Sequence, residues 1–394
     1  MSVLQFSNNN NFNIKEKLNK KNIIIAIIIL ILLLLILLYF FIPNFRNFIT
    51  LYVFRKQDSQ DKLNTISLSE DESSYAYAYD KYITVLNKST LYTYNASGNT
   101  VSEQDVNIST PIYSSNNRFL AIAEKDGNSI YLVSGSNIIW QTNIEGNISK
   151  IKVNNNGYVS VIITGTSYKS IIILFDSKGK ELFKTYLSNT IAIDTDISND
   201  NKYLSVAEVD YSGSLIKSMV KTISIEKAKS DPTNSVIYTF TSEDNNLITA
   251  IKYQNKNLIT CFYNDSIHTL NVTDEIDNKL ITFDKQTQFA DINLKNNFVY
   301  CTNKSSGFSS TTDVIICNCQ NTSNTSVYNL KGSIKSLYAY NEKLAVNLGS
   351  EIHFIGLNGW LIKKYNSSNE INSIILGDSL AGIIYKDKIE IVQF

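Results

Sequence analysis

Residues 148–190 read ISKIKVNNNGYVSVIITGTSYKSIIILFDSKGKELFKTYLSNT, and the punctuation of this stretch decides the fold. Ile148–Val153 is a short run rich in β-branched residues, closed by the turn residues Asn154-Asn155-Asn156-Gly157. Tyr158–Thr164 is a second such run and Ile171–Asp176 a third. After Ser177-Lys178-Gly179-Lys180, Glu181–Leu187 makes a fourth. Runs of this length and content between polar turns are β-strands. The third is apolar from Ile171 to Phe175, as a strand covered on both faces must be.

The second run carries a pattern that returns along the chain: an apolar pair, a small residue, then another apolar or small one. Taking its second residue as the anchor, the copies fall at Ile83, Leu120, Val159, Leu204, Ile259, Val299, Leu344 and Leu380, spaced by 36 to 55 residues. Four strands per repeat at a period near 40 are the mark of a β-propeller, one blade per repeat. The small third residue (Ala121, Ser160 and Ser205, for example) has a steric reason, because blades crowd towards the ring axis.

The ends set the blade count. The last repeat offers three runs, Ile371–Leu376, Leu380–Tyr385 and Lys388–Phe394, while Leu63–Leu68 is a spare strand upstream of the first full repeat. A ring that borrows its missing outer strand from the other end leaves no exposed edge. The sequence therefore predicts an all-β, eight-bladed β-propeller closed by residues near Ile66 beside Ile391. The blade limits are 73–107, 108–147, 148–190, 191–245, 246–286, 287–332, 333–370, and 371–394 with 62–69. A seven-bladed ring is the alternative.

One segment does not belong to the ring. Ile23–Ile42 is twenty residues without charge, Gly or Pro, and as a helix it spans about 30 Å, the thickness of a bilayer core. Tyr39, Phe40 and Phe41 close it where interfacial aromatics belong. A cleaved signal peptide has a shorter apolar core and a small-residue cleavage site, and Pro43-Asn44-Phe45-Arg46 offers none. Lys15, Lys17, Lys20 and Lys21 precede the span, which favours a cytoplasmic N-terminus and an extracytoplasmic ring. The expected organisation is a cytoplasmic tail 1–22, a transmembrane helix 23–42, a stalk 43–61 and a β-propeller 62–394. The chain is thus expected in the cell membrane as a single-pass protein, held through Ile23–Ile42.

Lys+Arg and Asp+Glu balance at 36 each. No basic field recruits nucleic acid, and the ring is read as a monomer. His268 and His353 fall on the third strands of non-adjacent blades, so no shared metal is expected. Cys261, Cys301, Cys317 and Cys319 read as buried free thiols. Asp194/Asp196 and Asp274/Glu275 read as residues of solvated turns. There is no nucleophile elbow, phosphate loop or dinucleotide fingerprint, so no catalytic, cofactor-binding or metal-binding residues are assigned and no cofactor is expected.

Candidate binding residues come from the first strands, which line a propeller's central channel. Tyr75, Tyr77 and Tyr79 share one face of such a strand, as do Tyr338 and Tyr340, and they read as a wall for a peptide or glycan. Packing between blades is the competing role for them. The fourth repeat is the longest, through Asp210–Lys217 and Ser230–Ser235, and extra loops are common contact sites.

The stretch Ile197–Val206 (ISNDNKYLSV) resembles the inner-strand motif of tryptophan–aspartate repeat propellers. Gly135–Trp140 resembles the turn and outer strand of quinoprotein-type blades, as do Lys178–Phe183 and Leu357–Ile362 more weakly. With only Trp140 and Trp360 present, the recurring tryptophan-docking pattern of quinoprotein dehydrogenases is missing. The plan of short tail, one anchor and one propeller is similar to a clostridial group of membrane-anchored propellers catalogued as a domain of unknown function. Such a plan, without a catalytic motif, implies a non-enzymatic binding or scaffolding module at the bacterial cell surface, with a protein, peptide or glycan partner. The alternative is a propeller enzyme, a quinoprotein-like oxidoreductase or glycan hydrolase. That reading calls for acidic or basic side chains meeting at the channel mouth.

Overall fold

The computed structural model describes residues 20–42, 45, 49, 63–68, 74–242, 246–306 and 309–394. They belong to two units, one ending at Gln57 and one beginning at Asp58. The first contains helix α1 (Lys20–Phe41), whose stretch Ile24–Phe41 has a mean hydropathy of 3.6 and is long and apolar enough to cross a membrane. The expected tail and stalk lie outside the described residues, apart from the start of α1 and positions 45 and 49.

The second unit is an eight-bladed β-propeller. Its strands, β1 to β32 in chain order, form eight four-stranded antiparallel sheets. Seven sheets use consecutive strands, each within the expected limits to one residue. The eighth joins β30 (Ser373–Leu376), β31 (Leu380–Ile384) and β32 (Lys388–Gln393) to β1 (Asn64–Ser67). The seam pairs Asn64 with Ile391 and Ile66 with Ile389. This is two residues along from the expected partner of Ile66. An even shift keeps Ile66 on the buried face, whereas an odd one would turn it outward.

The core is divided. Among the described residues, eight apolar clusters each lie between two consecutive blades. Blade 8 meets blade 1 through Ile66, Ile375 and Ile389 against Ala78, Ile83 and Val85. This explains why second and third strands are buried on both faces while outer strands alternate. The four cysteines are free and buried in these seams. Trp140 packs under the Gly179 turn of the next blade, where an added Cβ would come within 2.8 Å of the indole.

One element was not expected. Helix α2 (Ile225–Ala228) interrupts blade 4 before its outer strand. Ser224 caps it by accepting from the Lys227 N–H, and Ile225 and Ala228 are buried. A serine cap followed by good helix formers wins locally over the surrounding strand pattern.

The small third residues turn out to do more than save space. Ser160 Oγ lies 2.8 Å from Thr195 Oγ1 of the next blade, and Ser205 Oγ lies 2.8 Å from Tyr253 Oη of the next. Thr260 Oγ1 donates to Cys319 Sγ at 3.4 Å. In blades 3, 4 and 5 the small residue is thus a hydroxyl that ties one blade to its neighbour.

Candidate functional site

The first strand of every blade is the edge of its sheet nearest the ring axis. Backbone N–H and C=O groups on that edge need partners from outside the sheet. The eight inner strands are β2 (Ser74–Tyr79), β6 (Pro111–Asn116), β10 (Asn147–Val153), β14 (Ile191–Ile197), β18 (Ile248–Tyr253), β22 (Thr287–Asp291), β26 (Ser336–Tyr340) and β30. Four of them, β10, β14, β18 and β22, carry Lys or Asp. The other four carry no charge at all.

The charged side chains satisfy neighbouring edges. Asp194, fully buried, accepts from the Ile251 N–H at 3.0 Å, and Asp196 from the Tyr253 N–H at 2.6 Å. Lys252 Nζ donates to the carbonyls of Asn293 (2.7 Å) and Leu294 (3.4 Å), and Lys150 Nζ to that of Ile193. Ion pairs join the blades as well: Lys150 and Lys152 lie 3.0 and 3.5 Å from Asp194.

This crowding moves ionisation. Burial pushes the Asp196 carboxyl up from 3.8 to about 6, against the pull of Lys152. Burial pulls the Lys252 ammonium down to about 8, opposed by Asp196 and Asp291. Lys152 is held above its usual range, because Asp194 and Asp196 outweigh the effect of burial. Burial also raises Asp291.

Between the inner strands lies a cavity of 1040 Å³. Lys150, Lys152, Asp196 and Lys252 line one side and Tyr113 and Tyr340 another. The turns joining first and second strands form its rim, with Asn155, Asn199, Asn255 and Asn341 among them. Related turns knit the rim together: Asn154 Nδ2 donates to Asn201 Oδ1 at 2.6 Å, and Asn341 Nδ2 to Asp378 Oδ1 at 2.7 Å.

The five sequence-selected tyrosines sit on β2 and β26. Tyr79 is fully buried, donates to the Gly135 carbonyl at 2.6 Å, and is pushed up to about 12 by burial. Tyr77 is buried between blades 1 and 2, its ring centroid 4.4 Å from that of Tyr113. Tyr75 is exposed. Tyr338 and Tyr340 are half-buried, and both pack against the core between blades 7 and 8; of the five, Tyr340 lines the cavity.

The sequence reading misplaced Asp194 and Asp196: they lie on the inner strand β14, not in a solvated turn. A signal was available. Lys152, Asp196 and Lys252 stand directly opposite Ser160, Ser205 and Thr260, the third motif residue of three consecutive blades. His268 and His353 do lie on third strands, where they meet Asp277 (3.0 Å) and Tyr328 Oη (2.9 Å). Among the described residues no group of three or more His, Cys, Asp or Glu is placed to hold a metal ion.

No curated protein sequence matches the chain. Among solved structures the chain is similar to BamB from Moraxella catarrhalis at 11% identity, over 86% of this chain and 99% of that one, with a TM-score of 0.49. It is also similar to the dihydro-heme d1 dehydrogenase NirN in complex with DHE at 9% identity, over 86% of this chain and 72% of that one, with a TM-score of 0.52. At 9% identity the likeness to the latter is one of fold. Residues 54–394 match the family of unknown function DUF5711, and the chain belongs to that family.

Proposed function

We propose that this protein is a membrane-anchored, extracytoplasmic binding module at the bacterial cell surface, a non-enzymatic ring that holds its ligand in the central cavity. The observation that supports it most is the union in one chain of a helix apolar enough to span a bilayer and a closed ring with an open polar cavity. Lysines N-terminal to the span favour a cytoplasmic tail and an external ring. The division is the one read from the sequence: tail 1–22, span 23–42, stalk 43–61 and ring 62–394, working as a monomer. Pockets of this size that combine a few aligned polar groups with aromatic walls are ligand sites.

A second reading, a propeller enzyme, has one observation in its favour. Asp196 and Lys252 meet at one cavity and both are displaced towards neutrality, as general acids and bases are. The binding reading is preferred because each already satisfies a neighbouring strand edge, a structural reason for its place.

Two measurements test the proposal. Protease shaving of intact cells should degrade the ring and leave the tail; a wholly protected ring rules out the external placement. Purification of the full chain in mild detergent should bring down a stoichiometric partner without a chromophore, whereas a bound chromophore in the absorbance scan favours the enzyme.

A further inference from the structure

The cavity wall is not electrically neutral, although the chain as a whole is. Four lysines line it, Lys150, Lys152, Lys252 and Lys295, against a single aspartate, Asp196. The balancing carboxylates stand behind the wall, paired with these lysines but not lining the cavity. Asp194, which pairs with Lys150 and Lys152, is fully buried and does not line the cavity. Glu342, which pairs with Lys295 at 2.8 Å, and Asp291 do not line it either. An ammonium carries three donors. Lys152 directs one at Asp194, at 3.5 Å, and has no second ion-pair partner among the described residues. Low-dielectric walls with an excess of one sign concentrate the field in such a cleft and attract the opposite charge. Tyr113 on β6 and Tyr340 on β26 also line the cavity, two rings that suit the uncharged body of a ligand.

We propose that the central cavity is an oxyanion-binding site, in which Lys152 and Lys252, assisted by Lys150 and Lys295, hold a carboxylate or phosphate group while Tyr113 and Tyr340 face the rest of the ligand. The proposal rests on the binding-module reading and names its ligand class. Asp196 supplies a built-in signature. It stands among Lys152 from β10, Asp194 on its own strand, and Lys252 and Tyr253 from β18; Asp291 from β22 acts on the same two lysines. An anion entering beside Asp196 repels its carboxylate and favours the protonated form. Binding therefore takes up a proton and tightens as pH falls through about 6.

The test is calorimetric titration of the full chain in mild detergent at low ionic strength. Citrate and inorganic pyrophosphate serve as the carboxylate and phosphate arms, with spermine as the opposite charge. Saturable binding of citrate or pyrophosphate, and none of spermine, is expected, and the arm that binds more tightly identifies the oxyanion. Lys252→Gln should weaken binding by about tenfold, as loss of a cavity charge partner does. Lys295→Gln, at the exposed rim, should weaken it less and folds independently of the inner network. Asp196→Asn should bind more tightly at pH 7.5 and lose the part of the pH dependence centred near 6, while the part that Lys252 brings near 8 remains. Absence of saturable binding by both anions overturns the proposal, as does spermine binding or an unchanged affinity in both lysine variants. If a partner still co-purifies while both anions fail, the binding module stands and only its ligand class falls.

Discussion

The two halves of the channel share a backbone and differ in chemistry. Blades 3 to 6 present Lys150, Lys152, Asp194, Asp196, Lys252 and Asp291 on their inner strands. Blades 7, 8, 1 and 2 present SLYAY, SIIL, SYAYAY and PIYSSN, with tyrosine at Tyr338, Tyr340, Tyr75, Tyr77, Tyr79 and Tyr113. The third motif residue divides in nearly the same way. It is a hydroxyl linked to the next blade in blades 3, 4 and 5, and alanine in blades 2, 7 and 8, namely Ala121, Ala345 and Ala381. The repeat therefore prescribes strand order and seam packing. The inner edge is left to vary, and each half satisfies it by different means.

If the charged half is held by its polar network, breaking that network should be the most damaging change. Asp194→Ala removes the carboxylate that Lys150 and Lys152 share and leaves the Ile251 N–H without its acceptor. Losing the acceptor of a buried N–H together with the partner of two half-buried lysines costs about 2–3 kcal/mol. Urea unfolding of the full chain in detergent, followed by Trp140 and Trp360 fluorescence, should show that loss; a midpoint like the wild type's would mean the arc is ornamental. Tyr79→Phe probes the other half by removing a hydroxyl that donates to the Gly135 carbonyl and accepts from Thr84 Oγ1, with a cost of about 1–2 kcal/mol. Should it exceed the Asp194 effect, the order of the two halves is reversed.

Ser205→Ala sharpens the comparison further. It removes the blade-to-blade contact with Tyr253 and should cost about 1 kcal/mol. Ala345→Ser, at the matching position of blade 7, should bring no matching gain by the same assay.

The last expected effect is one of pH. Below pH 4 Asp196 is protonated in folded and unfolded chains alike. Between pH 4 and about 6 the folded chain keeps that proton longer, so the stability it lends in acid is lost as pH rises through about 6. Lys252 runs the other way: its depressed value favours the folded chain in alkali, an advantage lost as pH falls through about 8. Melting curves of wild type and Asp196→Asn between pH 4 and 8 should diverge, with the variant gaining relative to wild type towards neutrality. Parallel curves would show that Asp196 titrates normally.

The architecture was legible because packing writes it into every repeat. Ile83, Leu120 and Val159 recur because each blade must cover both faces of its second strand, and Leu63–Leu68 stood out because blade 8 lacked a strand. The charged arc was not legible in the same way. Lys150/Lys152 and Asp194/Asp196 alternate visibly, but they lie 44 residues apart when Lys152 is counted to Asp196. Only the ring brings them to one axis, and only alignment on the motif shows their equivalence. Helix α2 was missed because a four-residue turn of helix leaves no periodicity to read.

The seam gives the ring a mechanical character. Seven blades have their outer strand joined to the third strand by a covalent turn; in blade 8 the outer strand is β1, paired with β32 over four residues. In the sequence β1 is the first strand after α1. Its leading residue, Asn64, is fastened by the Ala96 carbonyl, which Gln393 also shares. Tension along the chain from the N-terminal side therefore arrives at Asn64 before any other strand residue. A steady pull there is expected to peel β1 from β32 and uncover the outer edge of blade 8, while the other seven blades stay sewn. The ring behaves under force as a latch with one release point, set at the end nearest in sequence to α1.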